Sequence, residues 1–500
     1  MKMVKSLILG SAAGILAMSG AQAADLPVKA KAVEYVRICS LYGAGFFYIP
    51  GTDTCIKLGG YLRADVAFNA SGVYTGGTVA GNYGQENRNR NYYLSRARED
   101  LTIDTRTATE YGVVRTFWDA TFSWTSANNQ LAGTFGNAGI AGSDTIGVYH
   151  AFIQFAGFTF GKTISQFDAP WSAYPGNNFD GLVGGGGDVT GVNQLTYTAQ
   201  FGNGVSAIIS AQEQYAYYQS NLYNTSFFTS AGLYGGSYGA NSLGGVVAPD
   251  IVGVLKVDQA WGTAQLSVAG HDNHANYYNQ ALELTGHPDD KWGWAIQGAL
   301  GIKNIPTGAG DTLNVQGVYT DGATRYNFQS LATQNYAMFG GTGLGGAYQS
   351  VGFAGTTDAL FAGTSAGTAT ATQLQLTRTW GFRGGFNHNW DPYWSSSVYG
   401  AWAQTQYNAT AKGLICVGII PLLTAGSTCN PDFQVFQAGV VTRWTPVKNL
   451  TFSVDVLWAE LDQRYAGAIN LPAVATKPAA VYEFKDQNTV SALFRVQRNW

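Results

Sequence analysis

The last eleven residues constrain the fold more than any other part of the chain: Val490, Ala492, Phe494, Val496, Arg498 and Trp500 fall on one parity, a period-two stripe with a terminal aromatic. Alternation of this kind places successive side chains on opposite faces of a strand. The first residues give an address. Lys2 and Lys5 form a positive opening, Leu7 to Met18 a short apolar stretch, and Ala21-Gln22-Ala23 a small-x-small cleavage site. The expectation is a signal peptide over 1–23 and one β-barrel over 24–500, with 24–55 as a segment before the first strand. An uncleaved anchor fits less well, because the apolar stretch is shorter than the ~20 residues a spanning helix needs. The expected location is a bacterial outer membrane.

Composition agrees with a wall that meets lipid on one side and water on the other. Charged residues are only 12% of the chain, about half the ~25% of soluble domains, yet the mean hydropathy is −0.04. A barrel reconciles the two values, since apolar and polar positions alternate within each strand. Beyond the signal no apolar run is long enough for a membrane helix. The formal net charge of −3, two units lower once Lys2 and Lys5 are gone, disfavours nucleic acid as a partner.

Polar and Gly-rich gaps alternate in size along the chain. The short ones lie at Thr105 to Glu110, Ala156-Gly157, Gly202 to Gly204, Ala260 to Gly262, Lys303 to Asp311, Asp391 to Tyr393 and Thr445 to Asn449. Gly, Asn, Asp and Pro recur there because tight reversals need φ > 0 or a pre-set φ. The long gaps fall near 70–91, 125–145, 164–192, 218–249, 272–290, 322–371, 408–431 and 463–486. This wiring predicts an all-β, antiparallel up-and-down transmembrane barrel of about 16 strands, with short periplasmic turns and long external loops. A soluble, secreted β-protein is the alternative, but its strands would present large exposed apolar faces. In the first strand Leu58, Leu62, Ala64, Val66 and Phe68 fall on the lipid side, and Lys57, Tyr61, Arg63 and Asp65 on the other. Leu195, Tyr197, Ala199 and Phe201 alternate with Gln194, Thr196, Thr198 and Gln200, which predicts a wet lumen. Tryptophans near strand ends, such as Trp118 and Trp124, Trp390 and Trp394, or Trp444 and Trp458, suit headgroup-level girdles.

Several segments carry a resemblance: Ala24–Pro27 (ADLP), Tyr35–Cys39 (YVRIC), Gly43–Gly51 (GAGFFYIPG), Cys55–Arg63 (CIKLGGYLR), Ala151–Gly161 (AFIQFAGFTFG) and Phe494–Trp500 (FRVQRNW). Together they resemble the alphaproteobacterial outer-membrane porins. The final Trp500 departs from the Phe usual in porins. The resemblance implies a homotrimer of sixteen-stranded barrels, each a water-filled channel for passive diffusion of small hydrophilic solutes and ions, with outer-membrane lipid as the other partner. It also implies that the third external loop folds inward to narrow the pore. That loop begins after Lys162 and carries Asp168, Asp180 and Asp188. The expected facing wall is basic: Arg63 on the first strand, Arg96 and Arg98 on the second, Arg115 on the third. Opposed Arg and Asp across a constriction would set a transverse field that favours polar solutes. The alternative is that these arginines pair with Asp65, Asp100, Asp104 and Asp119 and only brace the wall.

Four cysteines in an exported protein suggest disulfides. The local pairs Cys39–Cys55 and Cys416–Cys429 are the simple choice, with four free thiols as the alternative. No metal or other cofactor is expected, since no His has useful spacing to a Cys. An enzyme is not expected either. His271 and His274 read as members of a solvated outer loop, no Gly-x-Ser-x-Gly motif occurs, and Gly184 to Gly187 lacks the Lys-Ser/Thr of a phosphate loop. Two other functions compete with general diffusion: a substrate-selective channel, with aromatic stacking positions along its lumen, and a plugged structural or adhesive barrel. The long loop over 322–371 could serve as a lid, a receptor surface or a cover.

Overall fold

The computed structural model describes residues 37–70, 92–126, 143–187, 189–214, 218–330, 332, 334–341, 349–473 and 477–500. The expected signal peptide and Asp188 lie outside these residues. Sixteen long strands among them form one antiparallel sheet: β1 (Thr54–Phe68), β2 (Tyr93–Thr109), β3 (Gly112–Thr125), β4 (Ser143–Phe155), β5 (Phe158–Thr163), β6 (Val192–Gly202), β7 (Val205–Gln212), β8 (Asp250–Gln259), β9 (Gly262–Asn273), β10 (Lys291–Lys303), β11 (Thr312–Asp321), β12 (Arg378–Asn389), β13 (Trp394–Gln406), β14 (Phe433–Val447), β15 (Leu450–Gln463) and β16 (Gln487–Asn499). Each pairs with its neighbours in sequence, and β16 pairs with β1, Phe68 opposite Ala492 and Tyr61 opposite Asn499. Closure leaves no free edge, the condition for a sheet in lipid. Because β1 starts at Thr54, Cys55 lies inside it, and the preceding segment ends earlier than sequence alone places it.

The short turns show why their residues were chosen. Ala156-Gly157 and Asn203-Gly204 both have two consecutive positive φ values, 50° and 85°, then 51° and 74°, as a type I′ hairpin requires. A Cβ on Gly204 would stand 1.8 Å from the Asp258 carbonyl oxygen, so a larger residue cannot close this turn without moving β8. Along β6 the faces separate as the alternation predicts. Leu195 is 52% exposed on the outer surface, while Thr196 beside it is 1% exposed. Trp394 and Trp444 stack at 5.9 Å between ring centres next to a short turn.

Long loops build a packed cap at the ends of the strands opposite the short turns. Ala240–Asn241, Leu222–Asn224, Ala359–Phe361 and Gln375–Leu376 form one four-stranded sheet, in which Ala359–Phe361 runs parallel to Leu222–Asn224. A second joins Asn335–Gly340 and Gln349–Gly355 to Ala480–Phe484 and Ala468–Leu471. Helix α1 (Ala409–Ile419) is started by Asn408, whose side chain accepts from the Ala411 N–H at 2.8 Å. Between them lies an apolar core containing Tyr238, Phe339, Phe353, Ile415, Tyr465 and Tyr482, each such side chain contributing about 1.5–3 kcal/mol. Cys416–Cys429 ties α1 to its following segment, and Cys39–Cys55 ties the N-terminal segment to β1.

One sequence expectation is corrected here. His271 is not in a solvated loop: it lies near the end of β9, fully buried, with Nδ1 2.9 Å from Asp250 and Nε2 3.5 Å from Asp358. Asp358 arrives from the cap, more than eighty residues away, so no local pattern announces the pairing. His274 stays partly exposed beside Asp290 at 2.7 Å.

Candidate functional site

Loop 3, described over residues 164–187 and 189–191 between β5 and β6, crosses the lumen and is fastened to the far wall. Its carbonyls and amides find partners on six strands there. Gln265 donates to the Asp168 carbonyl at 2.8 Å, Gln297 to that of Phe167 at 2.8 Å, and Trp171 donates to Gln316 at 3.0 Å. Arg383, fully buried, donates to the carbonyls of Leu182 at 3.1 Å and Ser172 at 2.8 Å. Val183 donates to Gln437 at 2.9 Å, and the amides of Asn178 and Phe179 to one Asp455 oxygen at 2.7 and 3.0 Å. A loop with so many buried backbone groups would be costly without these bonds. The glycine run belongs to the same contact: a Cβ on Gly184 would stand 2.3 Å from the Phe382 carbonyl oxygen, and one on Gly185 1.8 Å from the Gln316 amide.

With loop 3 held on that side, the space left in the lumen among the described residues lies against β1 to β4 and β16. A cavity of about 640 Å³ is lined there by Arg63, Arg96, Arg98 and Arg495, by Asp100, Asp119 and Asp180, and by Tyr61, Tyr149 and Tyr174. Asp180 comes from loop 3 and accepts the Tyr174 hydroxyl. The arginines are fixed by neighbours on the wall. Arg63 and Arg495 share Asp65, at 3.2 and 2.7 Å, while Arg96 donates to Thr125 at 2.8 Å and Arg98 to Ser123 at 2.9 Å. Arg63 and Arg98 stand directly opposite each other in the β1–β2 register, so the Asp65 bridge offsets a like-charge pairing.

The structure therefore brings Arg63, Arg96, Arg98 and Asp180 to one cavity, and it does not bring Arg115 or Asp168. Arg115 has the right face but the wrong depth: it lies eight residues along β3 from Ser123, about 27 Å at ~3.4 Å per residue, and bonds Asp104 at 3.0 Å. Asp168 is buried at the far wall, where its carboxylate accepts the Tyr218 hydroxyl at 2.8 Å. Sequence reasoning missed Arg495, Arg383 and Asp455. The alternation of β16 held the signal for Arg495, since Phe494 and Val496 point outward.

The family described as "Porin subfamily" matches residues 25–493. This chain belongs to the porins. Porin Omp2b of Brucella suis biovar 1 (strain 1330) is 34% identical over 343 residues, covering 68% of this porin and 78% of the relative. Porin Omp2b of Brucella abortus (strain 2308) gives the same identity and coverage. Among solved structures, the outer membrane channel DcaP of Acinetobacter baumannii is similar at a TM-score of 0.57 with 14% identity, over 91% of this porin and 99% of that chain. At that identity the likeness concerns the fold. The porin relatives and the closed barrel together make this an outer-membrane porin of a bacterium.

Proposed function

We propose that this porin is a non-enzymatic channel through which small hydrophilic solutes and ions diffuse passively, and that it assembles as a homotrimer. One observation carries the reading: among the described residues, guanidinium groups of β1, β2 and β16 and the Asp180 carboxylate of loop 3 line one cavity of about 640 Å³. Charges of opposite sign on two walls of a narrow passage order water across it and favour polar over apolar solutes. Trimer formation is supported by β5 and β7, which have six and eight residues, fewer than the ~9–11 a tilted strand needs to span the hydrocarbon. A second subunit against this sector would shield what those strands leave uncovered.

A substrate-selective channel is the second reading, favoured by Tyr61, Tyr149 and Tyr174 in the same cavity. Swelling of liposomes that contain the refolded porin separates the two. Passive diffusion predicts rates for uncharged sugars that fall steadily with solute size and rise linearly with concentration. Saturation with one sugar would favour selectivity, and an absence of swelling from a correctly folded barrel would favour a plugged one.

A further inference from the structure

Arg106 on β2 and Arg115 on β3 meet at the short-turn end of the lumen, directly opposite each other in register. Like charges so placed repel, and one carboxylate holds both. Arg106 reaches Asp104 through Nε at 3.2 Å and Nη2 at 3.0 Å, and Arg115 through Nε at 3.1 Å and Nη2 at 3.0 Å. Two positive charges share one negative charge, so the trio keeps a net positive charge. Both side chains are still more than a quarter exposed to the lumen, at 29% and 28%.

The N-terminal segment completes a cavity over this pair. The Cys39–Cys55 bridge holds Tyr42 against the mouth, its ring centre 5.7 Å from the Arg106 guanidinium. The Tyr42 hydroxyl is shut off from water and has no hydrogen-bond partner among the described residues. Together with Gln154, Thr159 and Gln200, these groups line about 520 Å³, and none of the described lining residues is acidic.

We infer that this cavity is an oxyanion site, taking the carboxylate or phosphate group of an anionic solute at the inner mouth of the channel. The reading of the lumen as an open pore underlies this inference. Guanidinium forks match such groups in shape and charge, and arginine linings are how pores hold anions. Arg98 and Arg106 lie on the same lumen face of β2, eight residues or about 27 Å apart. An anion leaving the constriction therefore meets a second station before the periplasm.

Inorganic phosphate is the probe, followed in two ways. Phosphorus NMR of the refolded porin in detergent reads binding whether or not current flows, and chloride current through a planar bilayer reads its effect on conduction when phosphate is added to each side in turn. Arg106→Gln leaves the Asp104–Arg115 pair intact, so the barrel is expected to fold, which its heat-sensitive gel mobility checks. At low ionic strength the variant should bind phosphate about three- to tenfold more weakly than wild type, Arg115→Gln should do the same, and Asp104→Asn should tighten binding. Phosphate broadening and current block identical in wild type and Arg106→Gln would overturn the site. Arg106-dependent broadening in a barrel that carries no current would keep the site and sink the open-pore reading.

Discussion

Replacing both Arg63 and Arg98 by glutamine should raise the cation-to-anion permeability ratio about fiftyfold at low salt. The two guanidinium groups stand opposite each other on β1 and β2, and the cavity they line also holds Asp100, Asp119 and Asp180. Removing two of the four positive charges, with Arg96 and Arg495 left in place, moves the balance of the cavity toward these carboxylates. A unit charge about 7 Å from the ion path in water-like surroundings is worth about 0.6 kcal/mol, so two shift a cation and an anion by about 1.2 kcal/mol in opposite directions, about 2.4 kcal/mol between them, which is a factor near fifty in the ratio. The effect should shrink as salt is raised from 0.01 to 1 M, because the Debye length falls from about 30 to 3 Å. Reversal potentials across a salt gradient measure it. The barrel itself should survive, since Asp65 keeps Arg495 at 2.7 Å. An unchanged ratio at low salt would mean that ions pass elsewhere.

The second large effect concerns the cap. His271→Ala leaves Asp250 and Asp358 facing each other in a fully buried site, and breaking a buried ion pair from one side costs about 3–5 kcal/mol. The site joins β8 and β9 to two loops: Asp358 accepts from the Ser220 amide at 2.6 Å and the Thr324 hydroxyl at 2.8 Å. Burial acts to raise the Asp358 pKa, but the hydrogen bonds and charge of His271, with the amides of Thr324 and Ser220, outweigh it and hold the carboxyl below its ordinary value. A depressed acid stabilises above its unfolded pKa, and that contribution is lost as pH falls through the depressed value. The wild-type cap should therefore be firm at neutral pH and loosen only in strong acid. In His271→Ala the two unpaired carboxylates reverse the slope, and the cap should be looser at pH 8 than at pH 5. Hydrogen exchange in peptides covering Gln349–Gly355 and Ala359–Phe361, corrected for intrinsic rates, reads this directly. Equal protection in variant and wild type would remove the clamp from the account.

The barrel was legible in the sequence because it is built from local rules. Strand alternation, turn residues and the alternation of short and long gaps act over a few residues, and β1 to β16 with their seven turns follow them closely. The cap was not legible. Its strands run for two to seven residues, too short for a period, and pair segments such as Leu222–Asn224 and Ala359–Phe361 that lie far apart in sequence. Helix α1 is apolar on nearly every side, with Ala, Leu, Ile, Cys and Val and no polar face except Thr410 and Lys412, so its sequence carries no amphipathic signal. The site falls between these cases. Parity gives the lumen face of Arg63, Arg98 and Arg115 alike, but depth along the strand depends on where the turn falls, which separates Arg115 from the others. For loop 3 there is no parity at all. Asp180 faces the opening and Asp168 faces the wall because of distant partners, Tyr218 among them.

The central claim is that ions pass between loop 3 and the arginine wall, and Asp180→Cys tests it most directly. All four native cysteines are tied in disulfides, so the introduced thiol is the one available to a thiol-specific reagent. Attaching a cationic methanethiosulfonate group during a single-channel recording should lower the current in discrete steps and shift selectivity toward anions, while the same group on Leu195→Cys, on the lipid face, should change neither. A fully labelled Asp180→Cys porin with unaltered conductance and selectivity would contradict the account.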